Sequence, residues 1–150
     1  MNAATKDILY SSHPGDVIGP FQDENYMCLF KVLSKDTIYK MRVSHIYISW
    51  KAHNNDTSTV MSLAESFLQR VKSGEDYNEL ARLEGEVSSG DLGWFNSGVM
   101  VKPFEDAIMK AQKGDLFIVQ TIFGAHVVLV TENKEFEDYK FTVVPFIKKL

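Results

Sequence analysis

The decapeptide MRVSHIYISW alternates so that Val43, His45, Tyr47 and Ser49 share one face and Ser44, Ile46, Ile48 and Trp50 the other. That is the period of a strand. After a polar stretch, KAHNNDTS, the period changes. Val60, Leu63, Ala64, Phe67, Leu68 and Val71 recur at helical spacing as one apolar stripe, with Gly74 as its stop. A second helix opens at Asp76, with Glu79 three residues on as in a capping box, and offers Tyr77, Leu80 and Ala81 to a core before Gly85. A third carries Pro103 in its first turn, where the missing N–H costs nothing, and aligns Phe104, Ala107, Ile108 and Ala111 before Gly114. Two short strands follow, around LFIV and AHVVLV, parted by a turn at Phe123 and Gly124. From residue 41 the order is strand, helix, helix, glycine-rich loop, helix, strand, strand. This suits a mostly antiparallel sheet with helices packed on it.

Ahead of this run, Asp16 to Ser34 reads as a hairpin or a pair of short strands with a turn at Gly19 and Pro20. Asp36 to Lys40 reads as a connector. The tail YKFTVVPFIKKL is β-prone, and Pro145 favours an edge position there. GDVIGPFQDENYMCLFKV also echoes GDLFIVQTIFGAHVVLV, each running from Gly-Asp through a short strand and a turn into an apolar strand. The chain divides into a flanking hairpin and linker over residues 1–40, a domain over 41–132, and a flanking strand over 133–150.

Composition narrows the chemistry. With 150 residues, 45% hydrophobic and 24% charged, the chain can bury a core without staples. A net charge of −4 gives no electrostatic case for nucleic acid or an anionic membrane as partner. Cys28 is the lone cysteine, so no intrachain disulfide forms. Four histidines without a cysteine cluster or close spacing match no familiar ligand pattern, so neither a metal nor a cofactor is expected. His13 and His53 fall in polar stretches and are expected to be solvated. No apolar run approaches the ~20 residues that span a bilayer, and the first residues show no signal-peptide pattern.

Four segments in one order, VSHIYIS, GDLGWF, VKPFEDAIMKAQKGD and TIFGAHVVLVT, resemble the parvulin (PpiC, rotamase) type of peptidyl-prolyl cis-trans isomerase domain over roughly Met41 to Glu132. The resemblance implies an α+β fold, a four-stranded antiparallel sheet surrounded by helices, here with extra flanking β segments. It implies an enzyme that assists folding by holding X–Pro segments of unfolded or partly folded polypeptides in an apolar cup while the prolyl bond twists. By their places in those segments, His45 and His126 correspond to the family's paired histidines and Thr121 to a hydroxyl in the same network. Leu92, Met100 and Phe104 correspond to the cup for the proline ring, and Phe123 to its lining. Trp94 and Asp91 are expected to serve the fold rather than the substrate. No basic cluster follows His45, so selection of phosphorylated Ser-Pro or Thr-Pro is not expected.

The sequence departs from the family pattern at ARLEGEVSS. This stretch is shorter than the usual version, which carries an acidic residue or a cysteine beside the histidines. Glu86 is the nearest candidate for that catalytic place, and Ser89 replaces the first glycine of the usual Gly-Gly-Asp-Leu-Gly. The shortening motivates an alternative, a non-catalytic peptide-binding chaperone module with a degenerate site; a structural spacer is the third reading. The flanks resemble linking segments of membrane-anchored or periplasmic folding factors of the SurA and PpiD type. That implies an extracytoplasmic setting, in the periplasm or cell envelope, for a longer protein.

The chemistry asks little of the residues. Rotation about an X–Pro bond faces a barrier of roughly 20 kcal/mol set by amide resonance. A ten-thousandfold acceleration requires about 5.4 kcal/mol of differential stabilisation. A water-poor apolar cup disfavours the charge-separated planar amide, and nearby polar groups can stabilise the rotating carbonyl or the pyramidal nitrogen.

Overall fold

The computed structural model describes residues 3–150, apart from the side chain of Asp23. Its elements are α1 (Ala3–Ser11), β1 (Val17–Asp23), β2 (Tyr26–Ser49), a 3-10 turn (Lys51–His53), α2 (Thr57–Lys72), α3 (Tyr77–Glu84), β3 (Gly90–Asn96), α4 (Lys102–Met109), β4 (Leu116–Gln120) and β5 (Gly124–Lys149). Internal contacts divide the chain into two units. One is Tyr39–Phe136; the other joins the chain up to Ile38 with Glu137–Leu150. Strands β2 and β5, of 24 and 26 residues, each run through both. Several sequence expectations are corrected here. The stretch read as hairpin and linker opens with a helix, α1, and Gly19 and Pro20 lie inside β1 while the hairpin turns between Asp23 and Tyr26. Asp36–Lys40 is not a connector, because its backbone continues β2 without a break, and GDLGWF is not a loop but strand β3.

Within Tyr39–Phe136 the strands follow the order β3–β2–β5–β4. Strand β3 pairs antiparallel with β2, with Met41 opposite Phe95 and His45 opposite Gly90, and β4 pairs antiparallel with β5, with Val119 opposite His126. Glycines disguised β3 in the sequence. Gly90 and Gly93 hold φ of +118° and +69°, a region costly for other residues, and the pairing shifts register between Arg42 and Ser44. Asp91 fixes the bend by accepting the Gly93 N–H at 2.9 Å while the Arg42 guanidinium grips its carboxylate at 2.5 Å. The Arg42 bond, and then the Gly93 N–H, hold the Asp91 carboxyl below its ordinary range. Trp94 is 42% exposed, with Lys40 Nζ 5.2 Å from its ring centre.

Both faces of this sheet are covered. Ile46, Ile48, Ala125 and Val127 pack under Val60, Ala64, Phe67 and Leu68 of α2 and Tyr77, Leu80 and Ala81 of α3. On the other face, Met41, Val43, Phe95, Val119, Val128 and Val130 meet Phe104 and Ile108 of α4. This double cover explains why the alternation in β2 does not produce one wet face. The Asp76 cap forms where the sequence placed it, and Asp56 supplies a second one. Asp56 accepts from Thr59 N–H at 3.3 Å and Asp76 from Glu79 N–H at 2.8 Å. The Glu79 carboxylate binds Arg82 at 2.8 Å. Tyr77 is buried, and its hydroxyl donates to the Val127 carbonyl at 2.7 Å, tying α3 to β5.

In the other unit, β1 and β2 form an antiparallel hairpin, with Val17 opposite Lys31. Lys35 caps the end of α1, donating to the Tyr10 carbonyl at 2.6 Å and lying 4.4 Å from the Tyr139 ring centre. The echo in sequence is an echo in structure. Gly15 N–H donates to Val32 O at 2.8 Å and Val32 N–H to Asp16 O at 2.9 Å; Gly114 N–H donates to Val130 O at 2.8 Å and Val130 N–H to Asp115 O at 3.0 Å. Lys134 likewise reaches the Met109 carbonyl at the end of α4, at 2.8 Å. Among the described residues, no helix is long and apolar enough to cross a membrane.

Candidate active site

The paired histidines come from adjacent strands. His45 lies on β2 and His126 on β5, on the sheet face that carries Met41, Val43 and α4. Both are buried, at 7% and 6% exposed, and their rings are nearly parallel, with centroids 5.2 Å apart. His45 Nδ1 and His126 Nδ1 are 2.9 Å apart. His45 Nε2 lies 2.8 Å from the Ser88 carbonyl, and Thr121 Oγ1 lies 2.8 Å from His126 Nε2.

These partners fix the protons. A carbonyl only accepts, so the proton on His45 sits on Nε2 and points at Ser88. Burial lowers the pKa of His45 below its ordinary value; burial first, and then the neighbouring His45, lower that of His126 to about 4. Both rings are therefore neutral near pH 7. With its Nδ1 unprotonated, His45 accepts from His126 Nδ1–H, and His126 Nε2 accepts the Thr121 hydroxyl. Thr121 Oγ1 in turn accepts the Phe123 N–H at 3.2 Å. One directed chain of hydrogen bonds runs from Phe123 through Thr121, His126 and His45 to Ser88.

Above this floor lies a hollow of about 510 Å³. Its apolar wall is Leu92, Val99, Met100, Val101 and Phe104, and its other side is Tyr47, Ser88 and Phe123, with Thr121 and the two imidazoles at the base. Phe104 meets both imidazoles edge-on, at 5.2 Å from His126 and 6.0 Å from His45. No Asp, Glu or Cys lines the hollow among the described residues. The volume exceeds what one pyrrolidine ring fills, leaving room for neighbouring peptide groups in a setting typical of ligand sites.

The structure brings together seven of the eight residues singled out in the sequence: His45, Leu92, Met100, Phe104, Thr121, Phe123 and His126. It leaves Glu86 out. Its carboxylate accepts the Ser49 N–H at 2.9 Å and lies 3.8 Å from His53 Nε2, so that histidine also has a partner. The place beside His45 is taken by the Ser88 backbone carbonyl, which the shortened ARLEGEVSS segment brings in. Sequence reasoning missed this because a carbonyl belongs to every residue. It also passed over Tyr47, Val99 and Val101, although Tyr47 shares the alternation face of His45.

A family model described as the PPIC-type PPIase domain matches residues 27–134. The chain belongs to that family. The isomerase-type domain is 36% identical over 102 residues to the foldase protein PrsA of Geobacillus sp. (strain WCH70), covering 64% of this chain and 33% of that one. It is 30% identical over 135 residues to the chaperone SurA of Methylococcus capsulatus, covering 83% of this chain and 30% of the relative. Its structure is similar to the crystal structure of the peptidylprolyl isomerase PrsA from Bacillus anthracis. That likeness has a TM-score of 0.54 and 28% identity, over 66% of this chain and 44% of that one. The PPIase-type chain thus spans about a third of the length of these curated relatives. The parvulin-type resemblance and the α+β antiparallel fold stand.

Proposed function

We propose that this domain is a peptidyl-prolyl cis-trans isomerase that takes X–Pro segments of unfolded or partly folded polypeptides. The observation that carries this reading is the directed hydrogen-bond chain of two neutral imidazoles at the base of an apolar hollow. Leu92, Met100 and Phe104 hold the proline ring and exclude water, which disfavours the planar amide. The reaction moves no proton and needs no nucleophile, metal or cofactor, so the polar floor works by orientation. His45, His126 and Thr121 set the field beneath the twisting bond and keep the base of the cup rigid. In this reading Glu86 supports the fold through Ser49.

The matches to a foldase and a chaperone support a folding role for the longer protein, with the extracytoplasmic, membrane-anchored or periplasmic setting that the flanks imply as part of the same proposal. One observation favours a second reading, a peptide-binding module without turnover: no carboxylate or thiol lines the hollow among the described residues. Exchange between cis and trans forms of a short Ala-X-Pro-Phe peptide, followed by NMR with substoichiometric protein, separates the two. Accelerated exchange that is lost in Met100→Ala and in His126→Ala, both still folded, is the expected result. Chemical-shift changes at Met100 and Phe104 without faster exchange would establish the binding module instead.

A further inference from the structure

Thr121 lies outside the regular strands, in the turn between β4 and β5, yet its hydroxyl must stay aimed at His126 Nε2. The turn is closed from within by Thr121 N–H on the Gly124 carbonyl at 2.9 Å. From outside, the end of β2 clamps it with three donors. Trp50 N–H and the Tyr47 hydroxyl both donate to the Phe123 carbonyl, at 3.1 and 3.0 Å. The Trp50 indole N–H donates to the Thr121 carbonyl at 2.9 Å. A carbonyl has two lone pairs, and here both are used.

Of these donors, Tyr47 alone also touches the imidazoles. Its ring is nearly parallel to that of His126, at 5.1 Å and 22°, and to that of His45, at 6.0 Å and 11°. A half-buried strand position would accept any β-prone apolar residue; only an aromatic ring with a terminal hydroxyl both stacks on the pair and reaches the turn. We propose that Tyr47 is a positioning residue for the site, bracing the imidazole pair with its ring and holding the Thr121 turn with its hydroxyl. The inference rests on the isomerase reading for its effect on turnover and on geometry alone for its effect on the histidines.

Two variants divide the roles. Tyr47→Phe keeps the ring and loses the hydroxyl; Tyr47→Leu loses both. In Tyr47→Phe the imidazole N–H signals in nitrogen-15 spectra keep their wild-type pattern. The Phe123 amide and Trp50 indole protons exchange with solvent about tenfold faster, the loss of one hydrogen bond of about 1.4 kcal/mol. In Tyr47→Leu the His126 Nδ1–H signal shifts or broadens as well, and kcat for the proline peptide falls at least about tenfold with KM changed little. Restoration of the imidazole pattern by Phe but not Leu assigns that effect to the ring. Wild-type imidazole spectra and turn exchange in a folded Tyr47→Leu protein would overturn the proposal, as would loss of turnover only in proportion to the unfolded fraction. Absence of turnover in the wild type sinks the isomerase reading, while the spectra of the two variants still decide the role of Tyr47.

Discussion

At the scale of single residues, the site depends on two imidazoles staying neutral. A proton on His45 Nδ1 puts two donors face to face, and one on His126 Nε2 turns the Thr121 hydroxyl from donor to acceptor, so the directed chain is lost at either link. The unfolded chain binds protons at these histidines near pH 6.5, whereas the native state resists them down to about pH 4 at His126. Between those values the unfolded state holds more protons, so stability declines as pH falls through this window, by at most about 1.4 kcal/mol per pH unit per histidine. Nuclear magnetic resonance titration is expected to find His126 neutral down to about pH 4. A midpoint near the ordinary histidine value would show that the ring is hydrated and the chain of bonds is not as described. His45, His126 and Thr121 were legible in the sequence because their short segments resemble a family pattern. Ser88 was not, because its contribution is a backbone carbonyl placed by the path of a loop.

At the scale of elements, α2, α3 and α4 read cleanly, whereas α1 was missed in a segment read as hairpin and linker and β3 was read as a loop. The stripe of α2 and the caps at Asp56 and Asp76 are local properties, written within one or two turns of chain. Strand β3 hid behind Gly90 and Gly93, since a glycine-rich run reads as a loop unless its pairing partner is known. The start of β5 shows what such glycines serve. A Cβ on Gly124 would stand 2.0 Å from the Ile48 carbonyl oxygen, and that contact is with backbone. Gly124→Ala must push β5 from β2 two residues before His126. The expected cost is about 2–3 kcal/mol, read from the urea midpoint, with the imidazole signals perturbed in whatever protein still folds. An unchanged midpoint would mean that the two strands can part here without penalty.

At the scale of the whole molecule, every residue lining the hollow lies within Tyr39–Phe136. A chain trimmed to that range is expected to unfold cooperatively and to keep the wild-type imidazole pattern. Failure to fold would show that the flanking unit is part of the domain's stability. The paired turns at Gly15–Asp16 and Gly114–Asp115, each with a strand lysine donating to a carbonyl at the end of the preceding helix, show one local design used in both units. The sequence by itself determined the elements whose signals are local: α2 to α4, the cap at Asp76, the alternation of β2, and the segments that carry the two histidines. Tertiary structure decided what depends on distant partners. It made Asp36–Lys40 strand because backbone pairing continues there, and it opened β3 through glycines that only a neighbouring strand explains. It turned Glu86 toward Ser49 and gave its expected place to the Ser88 carbonyl. It also set the proton on each imidazole, because a histidine's tautomer is fixed by the group that faces it, and here those groups lie up to 81 residues away along the chain.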